Sequence, residues 1–352
     1  MSTNNELNPN DILNQVVDGN ALSQTQSEYF FEQVLQGNIA PAMLASFLTA
    51  LKIKGETPAE IAGAATAIRC AATAFPMTEA LSGENITDCV GTGGDGANTI
   101  NISTTAAILA AACGIKVAKH GNRSVSSMSG SADLLEALGV NLNMSPAKAS
   151  ECLEKTNLCF LYAPAYHSGF KHAAPVRKSM GIRTIFNILG PLVNPAKPKV
   201  MLLGVYIPQL LEPIAQALLL TGVKRAMVVH GSGLDEIALH GDTQAIEIKE
   251  GKLIEHTLSP SDFGLKSFGL DAIKGGTPEE NAQFIKLILA GKGKEAHNNA
   301  VIINCAALLY LHNKADNLKE AAIIAASVLA SGKAQQTLEA LVSLSNTCNT
   351  AV

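Results

Sequence analysis

The stretch Asp88–Asp133 constrains this chain most, because it fixes the order of strand, turn and helix around one kind of chemistry. An apolar run, Ile86 to Val90, meets a glycine-rich turn, Gly91-Thr92-Gly93-Gly94-Asp95-Gly96. The polar cluster Asn101-Ile102-Ser103-Thr104-Thr105 then opens a helix of small residues. A second apolar run, Ile115 to Ala118, ends in Lys119-His120-Gly121-Asn122-Arg123. Glycines accept positive φ and close backbone approach, so successive N–H groups can form a concave nest for an anion. The helix that follows adds unpaired N-terminal donors and a partial positive charge. The hydroxyls of Ser103, Thr104 and Thr105 can cap that helix, bind phosphate or reach a Mg²⁺ ion. Lys119 and Arg123 fall at the end of the next strand, where an open α/β sheet carries its ligand. The pattern predicts a phosphate site beside a parallel sheet.

Commoner readings compete with this one. Gly91, Gly93 and Gly96 satisfy G-x-G-x-x-G, but a dinucleotide site also wants an acidic residue about twenty positions on. Lys119, His120 and Arg123 occupy that region instead. A Walker loop is excluded, since the stretch has no G-x-x-x-x-G-K-[ST]. A purely structural glycine turn stays open on this stretch alone.

The 352 residues suffice for about two domains. With 47% hydrophobic and 16% charged residues, the chain suits a well-packed enzyme and not a disordered one. A net charge of −4 gives no global field for nucleic acid, so anion binding must be local. Absence of Trp and only 4% aromatics argue against base-stacking platforms. Cys70, Cys89, Cys113, Cys152, Cys159, Cys305 and Cys348 are scattered, with no C-x-x-C, as expected of reduced thiols in a cytoplasmic protein. The N-terminal residues lack the basic and apolar regions of a signal peptide, and no apolar run is long enough for a membrane span.

Residues 1–80 read as a small all-helical domain. Segments near 10–18, 23–36, 40–54 and 57–75 carry helical apolar spacing, with Asn10-Asp11 and Ser23 as starts and Gly37 and Gly55 as stops. Thr57-Pro58-Ala59-Glu60 is a capping box with proline in the first turn. From residue 85 to 352 the pattern alternates strand and helix, which predicts an α/β domain around a central, mostly parallel sheet. Strands are expected at 158–163, 199–207 and 225–231, a hairpin at 245–258 about Glu250-Gly251, and a helical tail from Thr277. Residues 164–198 are less regular and gather Tyr166, His167, His172, Arg177, Lys178 and Arg183.

A second chemical feature is VVHGSGLDEIAL, 228–239. A strand ends at His230-Gly231, Gly233 gives a turn, and Asp235 and Glu236 stand side by side. An isolated Asp-Glu pair is usually a solvated acidic turn. Beside a phosphate loop, adjacent carboxylates suit Mg²⁺, which takes one or two protein carboxylates and completes its shell with substrate oxygens.

Five segments in register, GTGGDG (91–96), NIST (101–104), KHGNRSVSSMSGSAD (119–133), APVRKSMGIRTIFNILGPLVNP (174–195) and VHGSGLDE (229–236), resemble the anthranilate phosphoribosyltransferase family over nearly the whole chain. The resemblance implies a nucleoside phosphorylase-like α/β fold whose helical domain is joined by part of 164–198, and a homodimer formed through the helical part. It implies transfer of a phosphoribosyl group from 5-phosphoribosyl 1-pyrophosphate to the amine of anthranilate in tryptophan biosynthesis. For the sugar it points to Gly91, Gly94, Asp95, Thr99, Asn101, Ile102, Ser103 and Thr104, then to Lys119, His120, Gly121, Asn122, Arg123, Ser124, Val125, Ser126, Ser127 and Ser131. It points to Gly91, Asn122 and Arg177 for anthranilate, to Lys119, Asn122 and Arg177 for catalysis, and to Ser103, Asp235 and Glu236 for Mg²⁺, with two ions. Tyr166-His167-Ser168-Gly169-Phe170 departs from the family's usual Tyr-His-Pro-Ala-Met and reads as a looser turn. No nucleic-acid or membrane partner is expected. Two rivals are a pyrimidine nucleoside phosphorylase, against which Asn122-Arg123 and Asp235-Glu236 speak, and a non-catalytic nucleic-acid-binding paralogue, against which the net charge speaks.

Overall fold

The computed structural model describes residues 7–83, 85–124 and 127–347. Four helices come first: α1 (Pro9–Val17), α2 (Gln24–Gln36), α3 (Pro41–Lys54) and α4 (Pro58–Cys70). Their starts are local chemistry. Ser23 accepts from the Gln26 N–H at 3.2 Å while the Gln26 side chain accepts from the Ser23 N–H at 2.9 Å. Thr57 and Glu60 form the same reciprocal pair on α4, which satisfies two otherwise unpaired donors. Gly37 ends α2 in the left-handed conformation, φ 81°, which favours glycine. Two ends differ from the sequence reading. The Asn8 side chain caps α1 and Pro9 is its first residue, so the helix starts before Asn10. The last helix stops at Cys70, short of 75, and the Thr73 N–H bonds to the Tyr166 carbonyl at 2.8 Å, drawing the chain away.

The rest is a seven-stranded sheet flanked by helices. In chain order come β1 (Thr87–Gly91), α5 (Ile102–Ala112), β2 (Val117–Gly121), α6 (Ser131–Ala137), α7 (Pro146–Thr156) and β3 (Leu158–Tyr162). The connector holds α8 (Ala163–Tyr166), α9 (Ala174–Met180) and α10 (Phe186–Leu189). Then follow β4 (Val200–Gly204), α11 (Leu211–Leu220), β5 (Arg225–Gly231), β6 (Thr243–Lys249) and β7 (Lys252–Leu258). Helices α12 (Pro278–Leu289), α13 (Glu295–Leu311), α14 (Leu318–Ala330) and α15 (Lys333–Ser345) close the chain.

The strand order is β3-β2-β1-β4-β5-β6-β7. The first five strands are parallel and the β6–β7 hairpin is antiparallel. Glu250 and Gly251 both have positive φ, 52° and 75°, as a two-residue hairpin turn requires. Chain order reverses between β1 and β4, so the crevice for a ligand lies at their carboxyl ends. Alternation of side chains builds two cores. Leu202, Met227 and Val229 join the core under α5 and α13, while Met201, Leu203, Ala226 and Val228 join α11 and the N-terminal helices. Ala173, Val176, Ile185 and Phe186 of the connector belong to that second core. The connector therefore packs with the helical part while its two ends continue into sheet strands.

Candidate active site

β1, β2, β4 and β5 each end in glycine: Gly91, Gly121, Gly204 and Gly231. Gly91 and Gly204 are partners in register at the point where strand order reverses. A Cβ on Gly91 would lie 2.1 Å from Asp235 Oδ2, one on Gly204 1.6 Å from the Asp235 carbonyl oxygen, and one on Gly231 2.3 Å from the Glu236 carbonyl oxygen. The 234–238 loop thus lies directly on the strand ends, which only glycine permits. This also stops β4 at Gly204, earlier than the sequence reading, whose carbonyl instead accepts from the Thr92 N–H at 2.9 Å.

The glycine-rich turn is held by that loop. Gly93, Gly94 and Gly96 have φ of 69°, 82° and 74°. The Gly93 N–H donates to Asp235 Oδ2 at 2.6 Å, and Asp95 Oδ1 accepts from the Ala97 N–H at 3.1 Å. At the start of α5 the Ser103 N–H donates to Glu236 Oε1 at 3.0 Å. The two adjacent carboxylates diverge, one to the turn and one to the helix N-terminus, and both occupy donors suited to an anionic ligand. Each keeps some contact with solvent yet is nearly surrounded by protein. Burial, reinforced by the charge of Asp95, pushes the Asp235 carboxyl well above the ordinary range. Burial and then Asp235 push Glu236 up likewise. Crowded, partly desolvated carboxylates are what a divalent cation relieves, so the donor set fits Mg²⁺.

Lys119 falls within β2, close to the strand end where the sequence places it, but it is buried. It and His120 are only 3% and 4% exposed. The Lys119 ammonium donates to the Cys89 carbonyl at 2.5 Å and lies within electrostatic reach of Asp88 and Glu236. It is a buried cation under the carboxylates. Asp88 is itself fixed by the Asn194 side chain at 2.8 Å, and burial lifts its carboxyl to about 6.

The other expected residues divide into groups. Asn101 is locked, donating to the Ser129 carbonyl at 3.0 Å and accepting from Asn281 at 2.9 Å. Thr99 bridges to Lys274 in the backbone. Ile102 and Thr104 are buried, and the Thr105 hydroxyl turns back to the Asn101 carbonyl, so no hydroxyl caps α5. Gly121 abuts Ser131, whose hydroxyl donates to the Asn122 carbonyl at 3.3 Å. Asn122 Oδ1 accepts from the Arg123 N–H at 2.7 Å. The Arg123 guanidinium points away from the carboxylates, to Glu136 at 2.7 and 3.0 Å and Asp133 at 3.1 Å. Ser124 and Ser127 bond each other through their hydroxyls, 2.9 Å apart. Val125 and Ser126 lie outside the described residues.

Arg177 stands on α9, its guanidinium 5.0 Å from the centroid of the Phe186 ring. Burial alone lowers its pKa, with no acidic neighbour contributing. A string of rings joins it to the sheet: Phe186–Phe170 at 5.6 Å, Phe170–His167 at 5.8 Å and His167–His120 at 5.1 Å. The turn carrying His167 is not loose. Gly169 lets α2 approach, its Cβ position being 3.1 Å from the Leu35 side chain, and His167 is buried with Nε2 3.2 Å from His120 Nε2.

Two residues escaped the sequence reading, and a third, Arg183, stood there only among the connector's basic residues, with no role. Gly204 carried no motif and fell inside the expected strand 199–207, not at its end. Asn304, fully buried on α13, accepts from the Ile237 N–H at 3.0 Å and donates to its carbonyl at 3.2 Å, clamping the carboxylate loop. Arg183 donates to the Gly94 carbonyl at 2.6 Å and sits 4.2 Å above the Tyr206 ring. Nothing in the local sequence ties Asn304 to a loop some sixty residues earlier.

Comparisons with known proteins give the family and the fold that carry this site. Residues 83–335 match a family described as glycosyl transferase family, a/b domain, and residues 10–72 match its helical bundle domain. The chain is 74% identical over 337 residues to an anthranilate phosphoribosyltransferase of Colwellia psychrerythraea, covering 96% of this chain and 92% of the relative. It is similar in structure to the anthranilate phosphoribosyltransferase of Thermus thermophilus, with TM-score 0.90 and 41% identity, covering 96% of this chain and all (100%) of that one. It is also similar to the Saccharomyces cerevisiae enzyme in complex with PRPP and Mg, with TM-score 0.87 and 31% identity, covering 96% and 97% of the two chains.

Proposed function

This chain belongs to the anthranilate phosphoribosyltransferases of the glycosyl transferase family, and from that premise we propose how its residues carry the reaction. It transfers the phosphoribosyl group of 5-phosphoribosyl 1-pyrophosphate to the amine of anthranilate, releasing pyrophosphate, in tryptophan biosynthesis. The single observation behind the residue assignment is the meeting of Asp235 and Glu236 with the N–H groups of Gly93 and Ser103 over the glycine-ended strands.

The sugar pyrophosphate takes up the donors that the carboxylates now occupy, in the cleft from Gly91 to Ser131. Asp235 and Glu236, freed from those donors, would hold Mg²⁺ together with the Ser103 hydroxyl. Two ions fit better than one, because the carboxylates diverge toward different elements. Bound Mg²⁺ supplies Lewis-acid stabilisation of the departing pyrophosphate. Lys119 holds a fixed positive charge beneath that leaving group, and the N–H groups of the turn are already oriented, so little reorganisation is needed as charge develops. Arg177 pairs with the anthranilate carboxylate, and Asn122 and Gly91 border the ring. An aromatic amine is neutral at pH 7, so attack on ribose C1 needs positioning more than a strong base. That leaves His120 and His167 as walls of the site, both held neutral by burial.

The helical part joins two copies. What supports this is an apolar face between α1 and α3, where Val17 is 61% and Ile53 82% exposed. Ile53→Glu should give a monomer in sedimentation velocity. A cytoplasmic setting is supported by six free cysteines among the described residues; among those residues no helix is long and apolar enough to cross a membrane. Loss of anthranilate fluorescence on adding the sugar pyrophosphate with Mg²⁺ tests the activity, and an unchanged signal would reject it.

A further inference from the structure

The glycine-rich turn is fixed at two successive residues by opposite charges. Asp235 takes the Gly93 N–H, and Arg183 takes the Gly94 carbonyl at 2.6 Å. The peptide unit is planar and trans, so pointing the Gly94 carbonyl at Arg183 aims the Asp95 N–H the opposite way. Arg183 therefore sets the direction of one donor of the nest. The guanidinium in turn has a seat: its carbon lies 4.2 Å from the centre of the Tyr206 ring. Tyr206 is tied to the same turn, its N–H donating to the Thr92 hydroxyl at 3.1 Å. Gly94 must be glycine here, with φ of 82° and a Cβ position only 2.9 Å from the Arg183 Nη2.

Arg183 also has a mechanical position. It lies in the connector between Val176 and Ile185, both packed in the core shared with the N-terminal helices. The residue that orients a donor of the sheet domain is thus carried by a segment packed on the N-terminal helices, in a core that also takes in β4, β5 and α11. We propose that Arg183, seated on Tyr206, is a positioning residue that holds the glycine-rich turn for the pyrophosphate of the sugar substrate and couples the turn to the placement of the helical part. The inference rests on the reaction assigned above. A planar guanidinium suits the task because it can lie on a ring face and still donate in its own plane, which an ammonium cannot do.

The test is calorimetric binding of the sugar pyrophosphate with Mg²⁺ to the full chain, beside steady-state KM values for both substrates and thermal midpoints. Arg183→Ala is expected to weaken sugar binding about ten-fold, because a hydrogen bond from a charged donor is lost, with the anthranilate KM and the midpoint little changed. Arg183→Lys keeps the charge and should recover little. Tyr206→Leu should show part of the loss, and Tyr206→Phe, which keeps the ring, none. Recovery by lysine together with a silent Tyr206→Leu would overturn the proposal, since a bare charge on phosphate would then suffice. Unchanged affinity in Arg183→Ala, or parallel loss of both substrates with a fallen midpoint, would overturn it too. A parent chain that binds the sugar without consuming anthranilate would reject the assigned reaction instead, while the variant series still reads the turn.

Discussion

Gly204 and Asp235 compete for one space: a Cβ on the glycine would lie 1.6 Å from the aspartate's carbonyl oxygen. Both atoms are backbone-borne, so neither can swing aside. Gly204→Ala must lift the carboxylate loop, and with it the partners of Gly93 and Ser103. A displacement near an ångström in a positioned site costs about 100-fold in rate, so kcat/KM for the sugar should fall by about that factor. Gly190→Ala is the control, since it has helical φ and open space around its Cβ position. Equal activity of the two variants would show that the loop is not held by this contact.

Asp235 and Glu236 conflict with stability while they serve the site. Each is a largely desolvated carboxyl with an acidic neighbour. Asp235→Asn/Glu236→Gln removes that repulsion, so the thermal midpoint without metal should rise, as happens when a functional strain is relieved. The Mg²⁺ concentration for half-maximal rate should rise about ten-fold or more, as loss of ordered metal contacts does. Stabilisation of the parent by added Mg²⁺ should vanish in the variant. An unchanged Mg²⁺ titration would remove the metal assignment.

The same site shows what was legible in the residues. Glycine turn, small-residue helix and second strand could be read in order because each is a local property: positive φ, capping, apolar period. The Asp235-Glu236 pair is legible as a Mg²⁺ candidate beside a phosphate loop, but its contact with the Ser103 N–H, 133 positions away, is not, since no spacing rule supplies it. Lys119 is legible as a cation at a strand end, but its burial is not, because such a cation usually reaches solvent. Inside β2 its charge is offset by the Cys89 carbonyl and two nearby carboxyls, a long-range compensation. Asn304 and Arg183 act on backbone atoms of distant loops, so their own neighbours in sequence say nothing of the role.

His120 and His167 stack edge to face in the core, and their pKa values are lowered to about 3 and about 4, mainly by burial. The folded state therefore binds fewer protons than the unfolded state below about pH 6.5. Their contribution is complete above that pH and is lost as pH falls toward 4. For His167 the loss reaches about 2 kcal/mol by pH 5. Asp88, raised to about 6, works in the opposite direction over the same range. The comparison of parent with His167→Gln isolates the histidine contribution. Urea midpoints at pH 7.5 and 5 should differ less in the variant. An equal difference in both proteins would mean that His167 carries a proton in the folded chain.

Arg177 is the one expected anthranilate contact that does not belong to the sugar cleft, so it separates the two substrates. Its guanidinium is half-buried over the Phe186 ring, and its pKa is lowered by burial alone. A desolvated cation with no acidic neighbour is costly unless a ligand supplies the anion. A carboxylate held by a planar fork makes two charge-assisted hydrogen bonds, each stronger than a neutral one. Arg177→Ala should therefore raise the anthranilate KM by about 10- to 100-fold, with the KM for the sugar pyrophosphate changed by less than about two-fold. Arg177→Lys should recover only part, because an ammonium lacks the fork. Phe186→Leu should fall between parent and alanine variant, through loss of the ring under the guanidinium. Parallel rises in both KM values would instead assign Arg177 to the packing of the connector, since both substrates would then depend on it equally.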